Sequence, residues 1–172
     1  MRAALAFACL AASFAACAAC AARAACDAPV HHALDFWLGR WVVTDGGKRV
    51  AESRIERGPG GCVIVEHYTQ DDGYSGTSVS FHDAALGRWR QTWVDSTGAA
   101  GEFTGDASEG AMQFVGETHR GDGTRIERRM RLAREADGRV RQTSLASRDG
   151  KAWKPHYELL YTRAKGDGSP LR

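Results

Sequence analysis

Apolar and polar residues alternate with a period of two along much of the chain. In the segment 124–132 charged side chains occupy one face, and the opposite face carries Ile126, Arg128, Met130 and Leu132. In the segment 88–95 one face carries Trp89, Gln91 and Trp93. A period of two with one polar face predicts β-strands whose other face is buried.

Turn signals separate these strands at intervals of about 10 to 14 residues. All 20 glycines follow position 38, and most lie beside an aspartate or another glycine. Asp-Gly steps favour the positive φ angles of tight hairpin turns, so this spacing is typical of consecutive hairpins. The strands predicted between the turns span residues 40–45, 48–57, 62–69, 74–82, 88–95, 99–105, 111–119, 124–134, 139–147 and 152–163.

Ten short strands in sequence, with no helical pattern of ten or more residues between them, predict an all-β domain. We expect a single antiparallel up-and-down β-barrel of about ten strands, with a short helical turn before the first strand. Closure into a barrel removes the free edges that an open sheet would leave. A sandwich of two sheets fits the same spacing, so closure needs a contact that joins the first strand to the last.

The first 26 residues have the pattern of a cleaved secretory signal. Arg2 supplies the positive charge, and residues 3–22 form an alanine-rich apolar run without an acidic residue. A permanent membrane helix is the alternative, but the run is weakly apolar and Arg23 follows it. This pattern predicts a periplasmic or secreted protein. The remaining chain divides into a flexible start at 27–34, a barrel domain at 35–164 and a disordered tail at 165–172.

Four of the five cysteines lie in the leader, and only Cys62 lies beyond it. Phe14-Ala15-Ala16-Cys17 loosely resembles a lipoprotein cleavage box, so the alternative is an outer-envelope lipoprotein that contacts the membrane only through a lipid on a leader cysteine. If Cys26 is retained without a lipid, an oxidising compartment allows it to pair with Cys62. Otherwise Cys62, within an apolar strand, is expected to be a buried small apolar residue.

The charge balance limits the classes of partner. Without Arg2 and Arg23 the 23 basic residues fall to 21, which equals the number of acidic residues. Nucleic acids and anionic membranes favour partners with a basic surplus, so neither is expected to bind this chain.

The step Gly39-x-Trp41, which follows a short apolar turn, resembles the entry motif of lipocalins and their calycin relatives. In that superfamily the tryptophan closes one barrel end, and a basic residue late in the last strand packs over it. The resemblance assigns this second role to Arg163. A guanidinium stacked on an indole contributes on the order of 1 kcal/mol and would join the first strand to the last.

A closer resemblance covers most of the chain after the leader. Four segments look like a bacterial secreted, lipocalin-like family of unknown function, namely 36–41, 61–62, 73–76 and 88–95. This resemblance implies the barrel fold but no activity.

The candidate ligand contacts are Trp89, Gln91, Trp93, Arg128 and Tyr157. Two indoles and a carboxamide that point inward would line a ligand pocket, although the same side chains could simply fill a small barrel. Arg128 lies on the apolar face of its strand, where it could hold a carboxylate or another anionic head group. The alternatives for Arg128 are an ion pair with an inward acid such as Asp95, or a bulge that turns it outward.

Two other polar groups bear on the interior. Gln142 and Ser144 share a face with Val140, so an inward orientation of that face predicts a partly polar cavity. His67 shares a face with Val63 and Val65, so we expect it to point inward, although a lone histidine is more often a hydrogen-bonded core residue.

His156 invites comparison with the nitrobindin-like barrels, which bind haem through a histidine near the C-terminus. It lies seven residues before Arg163, so a regular strand places the two on opposite faces unless Pro155 introduces a bulge. The sequence has neither the histidine spacing of a zinc site nor a Gly-x-Ser-x-Gly elbow. We therefore assign no catalytic residue, metal ligand or cofactor.

These observations favour an exported, non-enzymatic barrel that binds a small, partly apolar molecule of unknown identity. The first alternative is an enzyme in the same barrel, an isomerase or hydrolase that uses His67 or His156 with an acid. The second is a haem-binding nitrobindin-like protein. The third is a packed structural domain without a small ligand.

Overall fold

The computed structural model describes residues 26–108 and 110–166. Two short 3₁₀ turns, Pro29–His32 and Asp35–Trp37, precede the first strand, and a third, Pro59–Gly61, lies between the second and third strands. The strands are β1 (Gly39–Asp45), β2 (Lys48–Arg57), β3 (Val63–Gln70), β4 (Ser75–Asp83), β5 (Arg88–Asp95), β6 (Ala100–Ser108), β7 (Ala111–His119), β8 (Arg125–Arg134), β9 (Val140–Ser147) and β10 (Lys154–Arg163). No helix in these residues has the length and hydropathy that a membrane span requires.

Each strand pairs antiparallel with its neighbours in sequence, and β1 also pairs with β10, so the sheet is a closed barrel. The predicted single up-and-down barrel of ten strands with a short helical turn before it is confirmed, and the two-sheet sandwich is excluded. β6 continues three residues beyond its predicted end at residue 105. Its last residue, Ser108, still pairs with Ala111 of β7, so the polar residues that indicated a turn belong to the ladder.

One end of the barrel is sealed where β1 begins. The Arg163 guanidinium lies over the Trp41 indole, 4.5 Å from its ring centroid, and Nη1 donates to the Leu38 carbonyl at 3.1 Å. The Trp41 indole N–H in turn donates to the Trp37 carbonyl at 2.9 Å. Gly39 has a φ of 129°, a conformation that favours glycine, and this lets the chain pass from the 3₁₀ turn into β1.

Large apolar side chains fill the sealed end. The buried residues there are Leu34, Trp37, Trp41, Ile55, Ile64, Trp89, Met112, Phe114, Leu132 and Val140. Full burial of one such side chain stabilises the fold by roughly 1.5–3 kcal/mol, so this cluster, called here the apolar plug, is a major source of stability. It occupies only part of the interior, which leaves the other end for a cavity.

A disulfide joins Cys26 to Cys62 and ties the segment before β1 to the turn between β2 and β3. Of the two sequence-based alternatives for Cys62, the pairing is therefore the one observed. Residues 1–25, which hold the signal pattern and the other three cysteines, lie outside the described residues, as do residues 167–172 of the tail.

The segment 27–34, which the sequence suggests is flexible, is structured in part. It contains the first 3₁₀ turn, and Leu34 is fully buried in the apolar plug. The disulfide immediately before this segment holds it against the sealed end.

Removal of the disulfide is expected to destabilise the barrel substantially. The two cysteines are 36 residues apart in sequence, and a loop of that length corresponds to about 3–4 kcal/mol of lost chain entropy in the unfolded state. We expect Cys26→Ala/Cys62→Ala to lower the free energy of unfolding by this amount in urea titrations. Reduction of the unmodified protein should produce the same shift, and an unchanged midpoint in both would contradict the prediction.

Replacement of Arg163 by alanine tests the contribution of the sealed end. The loss of the indole contact and of the hydrogen bond to Leu38 is expected to cost about 1–2 kcal/mol of unfolding free energy. Arg131→Ala is the matched control, because Arg131 lies exposed on the outer face of β8. Equal effects of the two substitutions would show that the Arg163 contacts contribute no stability.

Candidate functional site

The half of the barrel opposite the apolar plug encloses a cavity of about 590 Å³. This volume lies within the range typical of small-molecule pockets. The cavity opens to solvent at a mouth where the exposed Asp45, Asp72 and His156 contribute to the lining. The walls are largely aromatic and include Tyr68, Tyr74, Trp93, Phe103 and Tyr157. The floor, which lies next to the apolar plug, is polar and is formed by Glu66, Gln91, Gln142 and Tyr161.

Four of the five candidate ligand contacts line this cavity, namely Gln91, Trp93, Arg128 and Tyr157. Trp89 does not line it, because it lies near the start of β5 in the apolar plug, 2% exposed, with its ring 6.3 Å from that of His82. The two interpretations of the β5 face, pocket lining and core filling, therefore each apply to a part of it. Trp89 fills the core, whereas Gln91 and Trp93 face the cavity.

Trp93 lies flat against β4 because position 76 is glycine. A Cβ atom on Gly76 would approach the Trp93 ring to 2.1 Å, so any other residue at this position would displace the indole. The indole N–H donates to Oδ2 of Asp95 at 3.2 Å, and the Tyr74 hydroxyl donates to the same oxygen at 3.0 Å. Burial opposes ionisation of Asp95, but the hydrogen bonds from Thr97, Tyr74 and Trp93 outweigh it and lower the pKa of the carboxyl.

Arg128 is a buried cation that has no counter-ion among the described residues. Its side chain is inward and the residue is 8% exposed, so the outward-turning bulge is not observed. Among residues 26–108 and 110–166 no carboxylate forms an ion pair with Arg128, and its Nη1 atom has no hydrogen-bond partner. Asp95, the acid considered for that ion pair, is engaged by Tyr74, Trp93 and Thr97 instead.

The neighbours of Arg128 in the sheet cannot satisfy it either. Its partners across the ladder are Gly116 on β7 and Ala146 on β9, and neither has a polar side chain. Burial lowers the pKa of the guanidinium, which shows that its charge is poorly solvated.

Glu66 on the cavity floor is a polar residue that the sequence analysis missed. It is 4% exposed, and its carboxyl accepts hydrogen bonds from Ser53 at 2.9 Å and from Ser78 at 3.1 Å. The Tyr161 hydroxyl oxygen lies 3.4 Å from Oε1. Burial raises the pKa of Glu66 to about 7, although the hydrogen bonds from Ser53, Ser78 and Tyr161 oppose this shift.

The position of Glu66 also corrects the prediction for His67. β3 has apolar residues on both faces. The buried face carries Ile64, Glu66 and Tyr68, whereas Val63, Val65 and His67 lie on the opposite face. The His67 side chain is 43% exposed, and Nε2 lies 3.8 Å from Oε1 of Glu56 on the outer surface. The prediction that His67 points inward is therefore wrong, and His67 cannot act on a molecule in the cavity.

A directed chain of hydrogen bonds crosses the floor. The Tyr161 hydroxyl donates to Gln142 at 2.8 Å, Nε2 of Gln142 donates to the Tyr157 hydroxyl at 3.1 Å, and that hydroxyl donates to Sδ of Met130 at 3.2 Å. The Tyr161 hydroxyl has a single proton, so at any one time it donates either to Gln142 or across the longer 3.4 Å contact to Oε1 of Glu66. The expected polar character of the Gln142 face is thus present inside the barrel.

His156 lies at the mouth of the cavity despite its position opposite the Arg163 face. The register between β10 and β9 shifts between Pro155 and Tyr157, so the bulge that the proline could introduce is present. Burial lowers the pKa of His156, and the positive charges of Arg128 and Arg120 lower it further. In the part of the chain that the structure describes, no group of three or more His, Cys, Asp or Glu side chains is arranged to hold a metal ion.

Fold and cavity together define a closed, ten-stranded barrel with one sealed and one open end. Comparison of the chain with models of known protein families gives no match, and comparison with curated protein sequences gives none either.

Glu66 is expected to make the stability of the barrel depend on pH. A glutamate in the unfolded chain has a pKa of about 4.5, whereas the folded Glu66 carboxyl has a pKa of about 7, so the folded state holds an extra proton between these values. Stability should fall as pH rises through this window, by on the order of 3 kcal/mol in total, and stay level above it. Glu66→Gln should remove this loss in urea titrations across the window.

Glu127→Gln is the matched control, because Glu127 lies on the outer face of β8. It should retain the fall in stability of the unmodified protein. A pH profile that Glu66→Gln leaves unchanged would contradict the assignment.

Proposed function

We propose that the protein is an exported, non-enzymatic carrier whose barrel binds a small, partly apolar molecule with an anionic group such as a carboxylate. In this proposal Arg128 pairs with the anionic group at the upper part of the cavity. The aromatic walls hold the apolar body of the molecule. The observation that carries the proposal is the buried guanidinium of Arg128, which faces the cavity and has no counter-ion in the part of the chain that the structure describes.

The energetics of burial support an anionic ligand. A charge removed from water without a partner costs several kcal/mol, and an apolar residue of similar size at the same position would avoid that cost. A carboxylate offers two oxygens that match the planar fork of the guanidinium. A bound carboxylate therefore satisfies Arg128 in a way that no described residue does.

The walls support an apolar or aromatic body for the ligand. Tyr68 and Trp93 meet edge to face with ring centroids 6.2 Å apart, and Phe103 packs between the glycines at 101 and 116. Met130 and Leu159 complete the apolar lining. Aromatic walls with a few placed polar groups are typical of sites for small organic molecules.

The disulfide supports the proposed compartment. Disulfides persist in the periplasm and outside the cell, and the bond between Cys26 and Cys62 fits a periplasmic or secreted protein. A lipid on Cys17 or Cys20 would also leave Cys26 free to pair, and membrane contact would then occur only through that anchor. The partner we propose is a small molecule and not a nucleic acid, in keeping with the lipocalin-like resemblance and the balanced charge.

The position of His156 favours haem as a second candidate ligand. Its imidazole lies at the cavity mouth, and its lowered pKa favours the neutral form that binds iron. Binding should then sharpen and shift the Soret band of added haem, and His156→Ala should abolish this change. A haem spectrum that the unmodified protein leaves unchanged would exclude haem as the ligand.

A matched pair of probes tests the role of Arg128. We expect decanoate to bind at least tenfold more tightly than decanol in calorimetric titrations, because only the acid pairs with the guanidinium. Arg128→Met should abolish this preference without unfolding the barrel, since it replaces a buried charge by an apolar side chain of similar length. Arg131→Met on the outer face is the control and should leave both affinities unchanged.

Equal affinity for the two probes, or an unchanged preference in Arg128→Met, would overturn the proposal. Native mass spectrometry of the protein purified from its own envelope provides an independent measurement. A co-purifying acid that Arg128→Met loses would support the carrier.

A further inference from the structure

The cavity has two polar ends with different chemistry. Arg128 lies toward the mouth, on β8, one inward-facing position closer to the open end than Met130. Glu66 lies on the floor, next to the apolar plug, where its neighbours across the ladder are Ile55 and Ser78. The aromatic walls separate these two groups, which form no ion pair with each other within the described residues.

The floor is built to satisfy a buried carboxyl and still face the cavity. Ser53 and Ser78 each donate to one oxygen of Glu66, and both hydroxyls are themselves at most 3% exposed. A carboxylate accepts about four hydrogen bonds, so these two donors and the Tyr161 contact leave capacity for a group in the cavity. Gln91, whose amide donates to Ser80 at 3.0 Å, adds a second polar side chain to the same floor.

A purely hydrocarbon tail does not suit this floor. An alkyl end would displace water from Glu66 and Gln91 and offer no hydrogen bond in return, which penalises binding. A hydroxyl both donates and accepts, so it can pair with the Glu66 carboxyl in either protonation state, and the pKa near 7 allows both states at neutral pH.

We propose that the ligand is a distally hydroxylated carboxylic acid, whose hydroxyl hydrogen-bonds Glu66 on the floor while its carboxylate pairs with Arg128. This inference rests on the proposed function, because the anionic end is the one assigned there. It adds a direction of entry: the hydroxyl end enters first, and the acid end stays near the mouth. It also assigns Glu66 as the residue that determines specificity at the closed end of the cavity.

Titration of the full chain with ω-hydroxydecanoate and decanoate tests the floor contact. We expect the hydroxy acid to bind the unmodified protein at least tenfold more tightly, because only its hydroxyl satisfies Glu66. Glu66→Leu should reverse the preference, so that decanoate binds more tightly. Glu66→Gln should keep the preference for the hydroxy acid, because a carboxamide also donates and accepts hydrogen bonds.

Decanoate binding is the internal control for folding, since Glu66→Leu retains Arg128 and should still bind the plain acid. If both acids bind with equal affinity and Glu66→Leu changes neither, the floor contact is wrong and the anionic site at Arg128 stands. If ω-aminodecanoate binds more tightly than the hydroxy acid, the floor takes a cation and the proposal is overturned. If neither acid binds, or Arg128→Met has no effect, the proposed function fails and the floor contact fails with it.

Discussion

The interior of this protein depends on the antiparallel pairing of β1 with β10. Without that ladder the ten strands would form an open sheet with two free edges, and the inward side chains would face water. The register that places Trp41 opposite Arg163 also determines which end is sealed. The Trp37 carbonyl accepts the hydrogen bond of the Trp41 indole, and the Trp37 ring is buried in the apolar plug. Side chains therefore fill this end of the barrel, and the other end stays open.

The two halves of the interior follow different rules of packing. The sealed half is filled by apolar side chains that need no partners, whereas the open half holds buried polar groups that do. Glu66 finds its partners within the barrel, in two serines and a tyrosine. Arg128 finds no such partner in residues 26–108 and 110–166, and stability alone would favour methionine or leucine at that position. Hydrogen bonds formed on folding explain the burial of Glu66, and the binding of an anion is our explanation for the burial of Arg128.

The strands differ in how clearly their sequence reveals the buried face. In β8 the outward positions 125, 127, 129 and 131 are all charged, so the inward position of Arg128 follows from alternation alone. In β3 both faces are apolar near the start, and the choice of the valine face hid Glu66 and misplaced His67. A bulge after Pro155 places His156 at the mouth of the cavity. Such a shift in register depends on how β10 pairs with β9, and the sequence of one strand does not reveal it. The pairing of Cys26 with Cys62 likewise depends on the fold, because only the barrel brings the two positions together.

The position of the disulfide has a consequence for how the barrel opens locally. Cys62 follows the turn between β2 and β3, so the bond holds the segment before β1 at the sealed end. Fraying of strands at the mouth therefore leaves the cross-link and the apolar plug in place. The entry of a solute requires only the weaker end of the barrel to fluctuate, while the covalently closed end keeps the strand register.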